Sequence, residues 1–165
     1  MIRELLTITL LFFFLSSYAQ RITQRIKLDR RLSEISGIDI WQDTLVVAVN
    51  DGGNLPVVYF LTFEGKIVHE VYLKNARNKD WEDLTIGKND TLYIGDFGNN
   101  LGNRKDRAIY KLDLKEGFKK DTLVPFRMGI SFEGQPYQKE KVKSHPYDCE
   151  SIFWREDTLW MISKN

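Results

Sequence analysis

The chain has 165 residues, 42% of them hydrophobic, enough for the core of one ordinary domain. Its 24 Lys and Arg stand against 23 Asp and Glu, so the net basic face on which nucleic-acid binding depends is missing. The basic runs Arg104-Lys105-Asp106-Arg107 and Lys139-Glu140-Lys141-Val142-Lys143 are interrupted by acids and read as solvated loops.

Residues 1–19 read as a secretory signal peptide. Arg3 supplies a positive start, Leu5 to Leu15 an apolar core, and Ser17-Tyr18-Ala19 the small residues of a cleavage site before Gln20. The apolar stretch is short for a membrane span, and a retained anchor is the alternative. Cys149 is the single cysteine, so an internal disulfide is excluded, as is lipidation next to the cleavage site. The expected product is exported, to the periplasm or beyond, and has no membrane span after cleavage.

From Arg21 onward the chain reads as strand and turn. Residues 22–28 alternate like an outer strand, with Ile22, Ile26 and Leu28 matching Ile67, Val71 and Leu73 further on. A module then occurs three times. Glu34-Ile35-Ser36-Gly37-Ile38 leads to Asp43-Thr44-Leu45, and Asp80-Trp81-Glu82-Asp83-Leu84 leads to Asp90-Thr91-Leu92. Asp148-Cys149-Glu150-Ser151-Ile152 leads to Asp157-Thr158-Leu159. The interval from Thr91 to Thr158 exceeds that from Thr44 to Thr91, and the excess fits an insertion around residues 135–147. Repeats of roughly 40 to 50 residues made of short strands mark a β-propeller, with three similar hairpins in a β-sandwich as the alternative.

The expected fold is therefore all-β: four-stranded antiparallel blades around residues 35–73, 84–132 and 151–165, about two and a half in number. Strands are expected at 35–41, 44–50, 57–63 and 66–73, then at 84–87, 91–95, 108–114 and 123–132, then at 151–154 and 158–163. Closure normally takes four to eight blades, so the chain reads as an N-terminal fragment whose residues 22–28 would close the ring. No stretch of the mature chain shows a helical apolar period. Leu45, Val47, Tyr59, Leu61, Tyr93, Ile109, Phe132 and Ile162 are expected to be buried.

The runs Asn50-Asp51-Gly52-Gly53-Asn54, Asp80-Trp81-Glu82-Asp83-Leu84 and Leu92-Tyr93-Ile94-Gly95-Asp96-Phe97-Gly98-Asn99-Asn100 resemble secreted bacterial propeller proteins. These form the broad NHL/TolB-like group, which includes calcium-dependent phytase-like and lactonase-like enzymes. The resemblance spans residues 22–165 and implies a ring of six blades or close to it. It implies little about activity, since propellers host binding and hydrolysis alike.

Any chemistry is expected at the recurring carboxylates. With Leu45, Leu92 and Leu159 in register and one extra residue in the second turn, Ser36, Glu82 and Glu150 become equivalent. So do Glu34, Asp80 and Asp148. Placed where the innermost strands begin, Glu34, Asp80, Glu82, Asp148 and Glu150 would ring one mouth of the channel, with Asp96 and the Asn50-Asp51 pair as outer ligands. Calcium takes six to eight such oxygens. The alternative is that these acids accept backbone N–H bonds in loops.

Trp81, between two acids, is expected to face a ligand together with Asp51, whereas Trp41, Trp154 and Trp160 should pack between blades. The Asp96–Asn100 run lacks the remaining ligands of an EF-hand, and Asn89-Asp90-Thr91 is a strand turn before it is a glycosylation acceptor. His69 and His145 have no companions spaced for zinc, and no nucleophile elbow, phosphate loop or dinucleotide fingerprint occurs. Three functions fit. One is an exported binding module for a small molecule or an envelope or extracellular protein. The second is a calcium-dependent hydrolase of phosphate or lactone esters, and the third a structural role in the envelope.

Overall fold

Each of the three repeated turns passes through two consecutive left-handed residues: Gln42 and Asp43, Asn89 and Asp90, Glu156 and Asp157. Two successive positive φ angles match the right-handed twist of a tight hairpin, and Asn and Asp tolerate that conformation best. The repeated Asp-Thr is thus turn chemistry. The computed structural model describes residues 25–135 and 145–164. The signal peptide, residues 22–24 of the expected ring-closing strand and most of the insertion lie outside the described residues.

The first sheet runs in chain order through β1 (Ile35–Trp41), β2 (Leu45–Asn50), β3 (Val57–Leu61) and β4 (Ile67–Leu73), each antiparallel to the one before. The second holds β5 (Trp81–Gly87), β6 (Thr91–Asp96) and β7 (Ala108–Asp113). A one-turn helix, α1 (Leu114–Gly117), follows, its start capped by the Asp113 carboxylate, which accepts from Glu116 N–H at 2.9 Å. It is a small exception to the all-strand expectation.

One long strand over 123–132 is not what forms. β8 (Thr122–Leu123) joins the outer edge of the first sheet, parallel to β4, and β9 (Phe126–Gly129) closes the second sheet beside β7. Pro125 stands between them. Its lack of an N–H suits a crossing point between sheets. The third sheet is a hairpin of β10 (Asp148–Arg155) and β11 (Thr158–Lys164).

The pairings correct one register. Ile40 pairs with Val46, Ile86 with Leu92 and Trp154 with Leu159, so Val46, not Leu45, is the counterpart of Leu92. The first two turns are equally long and the third is shorter by one. The equivalence of Ser36, Glu82 and Glu150 survives, because each is the extra residue of a β-bulge at the same place: between Ile35 and Gly37, Trp81 and Asp83, Cys149 and Ser151.

The sheets stack face to face. Trp41, Val47, Val58, Phe60 and Leu73 of the first meet Trp81, Leu84, Leu92 and Ile94 of the second. Tyr93, Phe97 and Ile109 of the second meet Cys149, Ile152 and Trp154 of the third, with Tyr93 and Trp154 stacked at 5.5 Å. Burying each large apolar side chain contributes about 1.5–3 kcal/mol, so these layers carry the stability. Carboxylates and hydroxyls stitch the innermost strands. Asp39 Oδ2 accepts from Ile86 N–H at 2.7 Å, and Asp83 Oδ2 accepts from Ser151 Oγ at 2.6 Å and Ile152 N–H at 3.0 Å.

The outer faces are less covered. Ile38 and Ile40 on one end of the stack, and Phe153, Trp160 and Ile162 on the other, are exposed. Val47, Tyr59, Leu61, Tyr93 and Ile109 are buried as expected. Ile162 instead lies on the uncovered face of the third sheet, and Leu45 and Phe132 are half-buried. Trp160 likewise stacks on Phe153 on that face and packs between no sheets, unlike Trp41 and Trp154.

Residues 25–29 form no strand. Ile26 and Leu28 sit over Gly65 in the β3–β4 turn, where a Cβ would meet both. Leu32, in a short 3₁₀ turn, then covers the free face of the first sheet. Among the described residues no helix is long and apolar enough to cross a membrane.

Candidate functional site

Trp81 begins β5, is fully buried among the residues between the first and second sheets, and donates its indole N–H to Arg77 O at 3.1 Å. It cannot face a ligand there, which corrects that expectation. Its neighbours in sequence do emerge. Strand alternation and the bulge turn Asp80 and Glu82 away from the core, and the carboxylates of Asp51, Asp80 and Glu82 each place an oxygen within 4.8 Å of the others. Asp51 is exposed and the other two are half-buried.

Three features hold this cluster in place. Asn78 gives its amide hydrogens to Asn50 O at 2.9 Å and Asp51 O at 2.7 Å, and its Oδ1 accepts from Trp81 N–H at 3.1 Å. The turn bearing Asp51 is thereby tied to the start of β5. Two glycines then leave room for the acids. A Cβ on Gly52 would lie 2.7 Å from Asp80 Oδ1, and one on Gly98 would collide with Asp80 Oδ2 and Glu82 Oε1. The glycines of the Asp51-Gly52 and Asp96-Phe97-Gly98 runs are thus packing requirements of the acids.

Burial and like charge act on these groups together. Burial first, then Glu150 and Asp80, push the Glu82 carboxyl up to about 8. Burial also raises Asp80, against the opposing pull of Arg104. Arg104 is itself spoken for: it bonds Asp96 Oδ1 at 2.5 Å and Gly98 O at 3.0 Å. Asp96, which is buried, also accepts from Asp80 N–H at 3.1 Å, so its Oδ1 is committed inside the protein. Glu34 stands opposite Asp51, its carbonyl accepting from Asp51 N–H at 2.8 Å, while its carboxylate accepts from Asn54 Nδ2 at 2.7 Å outside the cluster.

The third module repeats the second with one addition. Asp148 Oδ1 accepts from Asn99 N–H at 2.6 Å. Asp148 Oδ2 and Glu150 Oε1 both meet the ammonium of Lys164, at 3.1 and 2.5 Å. Of the expected ring, Asp80 and Glu82 therefore join Asp51 in a cluster with no ion pair among the described residues, Asp148 and Glu150 are paired with Lys164, and Glu34 and Asp96 have other partners.

Beside Asp80 opens a cavity of about 270 Å³ lined by Gly98, Asn99, Asn100, Asn103 and Arg104. Sequence reasoning missed Arg104, Arg107, Asn78 and Lys164. Arg104 and Arg107 read as solvated charge, yet Arg104 is the counter-ion of Asp96. Arg107 is buried over the Phe132 ring, bonded to Tyr147 O at 3.0 Å. Buried Asp96, two residues before the Gly98 that the acids require, was the available hint that an arginine must fold back.

No protein-family model matches the chain, and no curated protein does. Among solved structures it is similar to selenomethionine-substituted virginiamycin B lyase from Staphylococcus aureus, at 17% identity and a TM-score of 0.50. The likeness covers 85% of this chain and 38% of the other. The chain has a β-propeller-type fold. The stacked antiparallel sheets, repeated bulges and stitched inner strands described above are the construction that such a fold requires.

Proposed function

We propose that the chain belongs to an exported propeller of the NHL/TolB-like kind, a binding module that holds a divalent cation, calcium for preference, on Asp51, Asp80 and Glu82. One observation carries the reading: three converging carboxylates, given room by Gly52 and Gly98, have no ion-pair partner among the described residues beyond the pull of Arg104 on Asp80, while the equivalent acids of the third module have Lys164. Oxygen-only donors of this charge suit calcium. The cavity beside Asp80 gives a small ligand access to the cation.

A hydrolytic reading is favoured by Glu82 alone. Without an ion its carboxyl is pushed up to about 8, and it would act as a base only with the cation held by Asp51 and Asp80 and not by Glu82 itself. A bound cation would supply polarisation of an ester and a more acidic water. The lyase named in the structural comparison is a reminder that the fold can carry catalysis, but nothing of its chemistry is carried over here.

The test is a thermal melt of the full chain in calcium and in chelator. Binding at a hundredfold excess over the dissociation constant stabilises by about 2.7 kcal/mol. The parent should melt higher in calcium, and Asp80→Asn with Glu82→Gln should lose that response. An unchanged melting temperature in the parent would reduce the cluster to loop-forming acids. Ester hydrolysis that persists in chelator would sink the hydrolytic reading.

A further inference from the structure

The Asp148–Glu150 pair stands at the same bulge as Asp80–Glu82, and it is filled. The Lys164 ammonium lies 3.1 Å from Asp148 Oδ2, 2.5 Å from Glu150 Oε1 and 2.9 Å from Asn100 Oδ1. These oxygens come from the first residue of β10, from its bulge and from the loop after β6. The ammonium donates a hydrogen bond to Asn100 Oδ1 and stands at ion-pair distance from the two carboxylate oxygens.

The cage needs its cation. The Asp148 side chain is 5% exposed and that of Glu150 36%, and Glu150 Oε1, itself buried, has the Lys164 ammonium as its ion-pair partner and no hydrogen-bond partner among the described residues. Ionised carboxylates at that depth are costly unless paired. The stem of Lys164, by contrast, is half exposed, so the ammonium enters from the solvent side. Strand pairing sets Lys164 opposite Asp148, as Asp51 stands opposite Glu34. At the same register position the first module therefore carries a carboxylate and the third an ammonium.

We infer that Lys164 is a tethered cation occupying a second divalent-cation position, made by Asp148, Glu150 and Asn100, and that removing its ammonium opens this position to calcium. The inference rests on the cation reading of Asp51, Asp80 and Glu82, and extends it. The side chain at position 164 decides whether such a cage fills itself or takes an ion from outside.

Terbium, a luminescent substitute for calcium, separates the two claims. In the full chain carrying Asp80→Asn and Glu82→Gln, with Lys164 intact, no terbium should bind. Adding Lys164→Met should create one site per chain, displaced by calcium, together with a melting temperature that rises with calcium. Lys164→Gln, run in parallel, guards against poor folding of the Met variant. No terbium site in either variant overturns the inference, and so does failure of both to fold in calcium, since the ion should replace the ammonium. Equal binding with Lys164 present overturns it as well. In the otherwise unaltered chain Lys164→Met should raise the terbium count from one to two. A rise from none to one would retain the tethered cation and refute the Asp51–Asp80–Glu82 site.

Discussion

Asp80 with Glu82, and Asp148 with Glu150, occupy the same register of adjacent innermost strands, yet their surroundings differ in one respect. Lys164 brings a positive charge to the later pair and fixes it. Among the described residues no lysine or arginine forms an ion pair with the earlier pair, on which Arg104 acts only through its pull on Asp80, and which gains a third acid, Asp51. The bulge is the same in both, although β10 is paired from Asp148 and β5 only from Trp81. A repeat therefore fixes where acids stand, while a single side chain elsewhere in the module fixes whether they form a closed ion pair or an open site.

Separating the two strands should have the largest effect. Asp83 follows Glu82, Ser151 follows Glu150, and the Asp83 carboxylate holds both the Ser151 hydroxyl and the Ile152 N–H. Asp83→Ala removes the acceptor and leaves those donors, with Leu84 N–H, unpaired. Each unsatisfied buried group costs about 1–3 kcal/mol, so a loss of about 3 kcal/mol in chemical denaturation is expected. Asp83→Asn keeps one acceptor and should lose less. Equal stability of Asp83→Ala and parent would mean that packing alone sets the spacing of the pairs.

A smaller change should strike only the earlier pair. Gly98→Ala puts a methyl group against both Asp80 and Glu82. Overpacking of this kind costs about 2 kcal/mol. The variant should lose its calcium response and keep the cage around Lys164, so that adding Lys164→Met to it gives one terbium site per chain, against two for Lys164→Met alone. A Gly98→Ala chain that binds calcium like the parent would show that the acids do not need that space.

The sheets were legible in the sequence because their signal is local. The continuous β-branched and aromatic run at residues 57–61, the alternation along 67–73, and the paired left-handed turns at Asp43, Asp90 and Asp157 depend on near neighbours. The bulge equivalence was legible for the same reason. What failed depends on distant parts of the chain. Ile162 reads as core, but its burial needs a covering sheet that the described residues lack. Trp81 reads as a ligand contact because acids flank it, but strand alternation sends it inward as they go outward. The roles of Arg104 and Lys164 arise from contacts with Asp96 and Asp148, and no spacing rule announces such contacts.

A pH dependence should also be peculiar to the earlier pair. Glu82 titrates at about 4.5 when unfolded, while burial and then Glu150 and Asp80 push it up to about 8 in the fold. Between these values the folded chain holds a proton that the unfolded chain has released. Stability must therefore fall as pH rises through that window, and be level with respect to Glu82 below and above it. Asp80, raised chiefly by burial, acts in the same direction. Lys164 has the opposite character: its carboxylate partners raise it above an already high ordinary value, so its contribution stays constant throughout the window. In chelator, the melting temperature of the parent should decline from pH 5 to pH 8 more steeply than that of Glu82→Gln. Calcium, by replacing the proton, should flatten the parent curve. Parallel curves for parent and Glu82→Gln in chelator would show that Glu82 is not the group holding the proton, and the contrast between the two pairs would then rest on Lys164 alone.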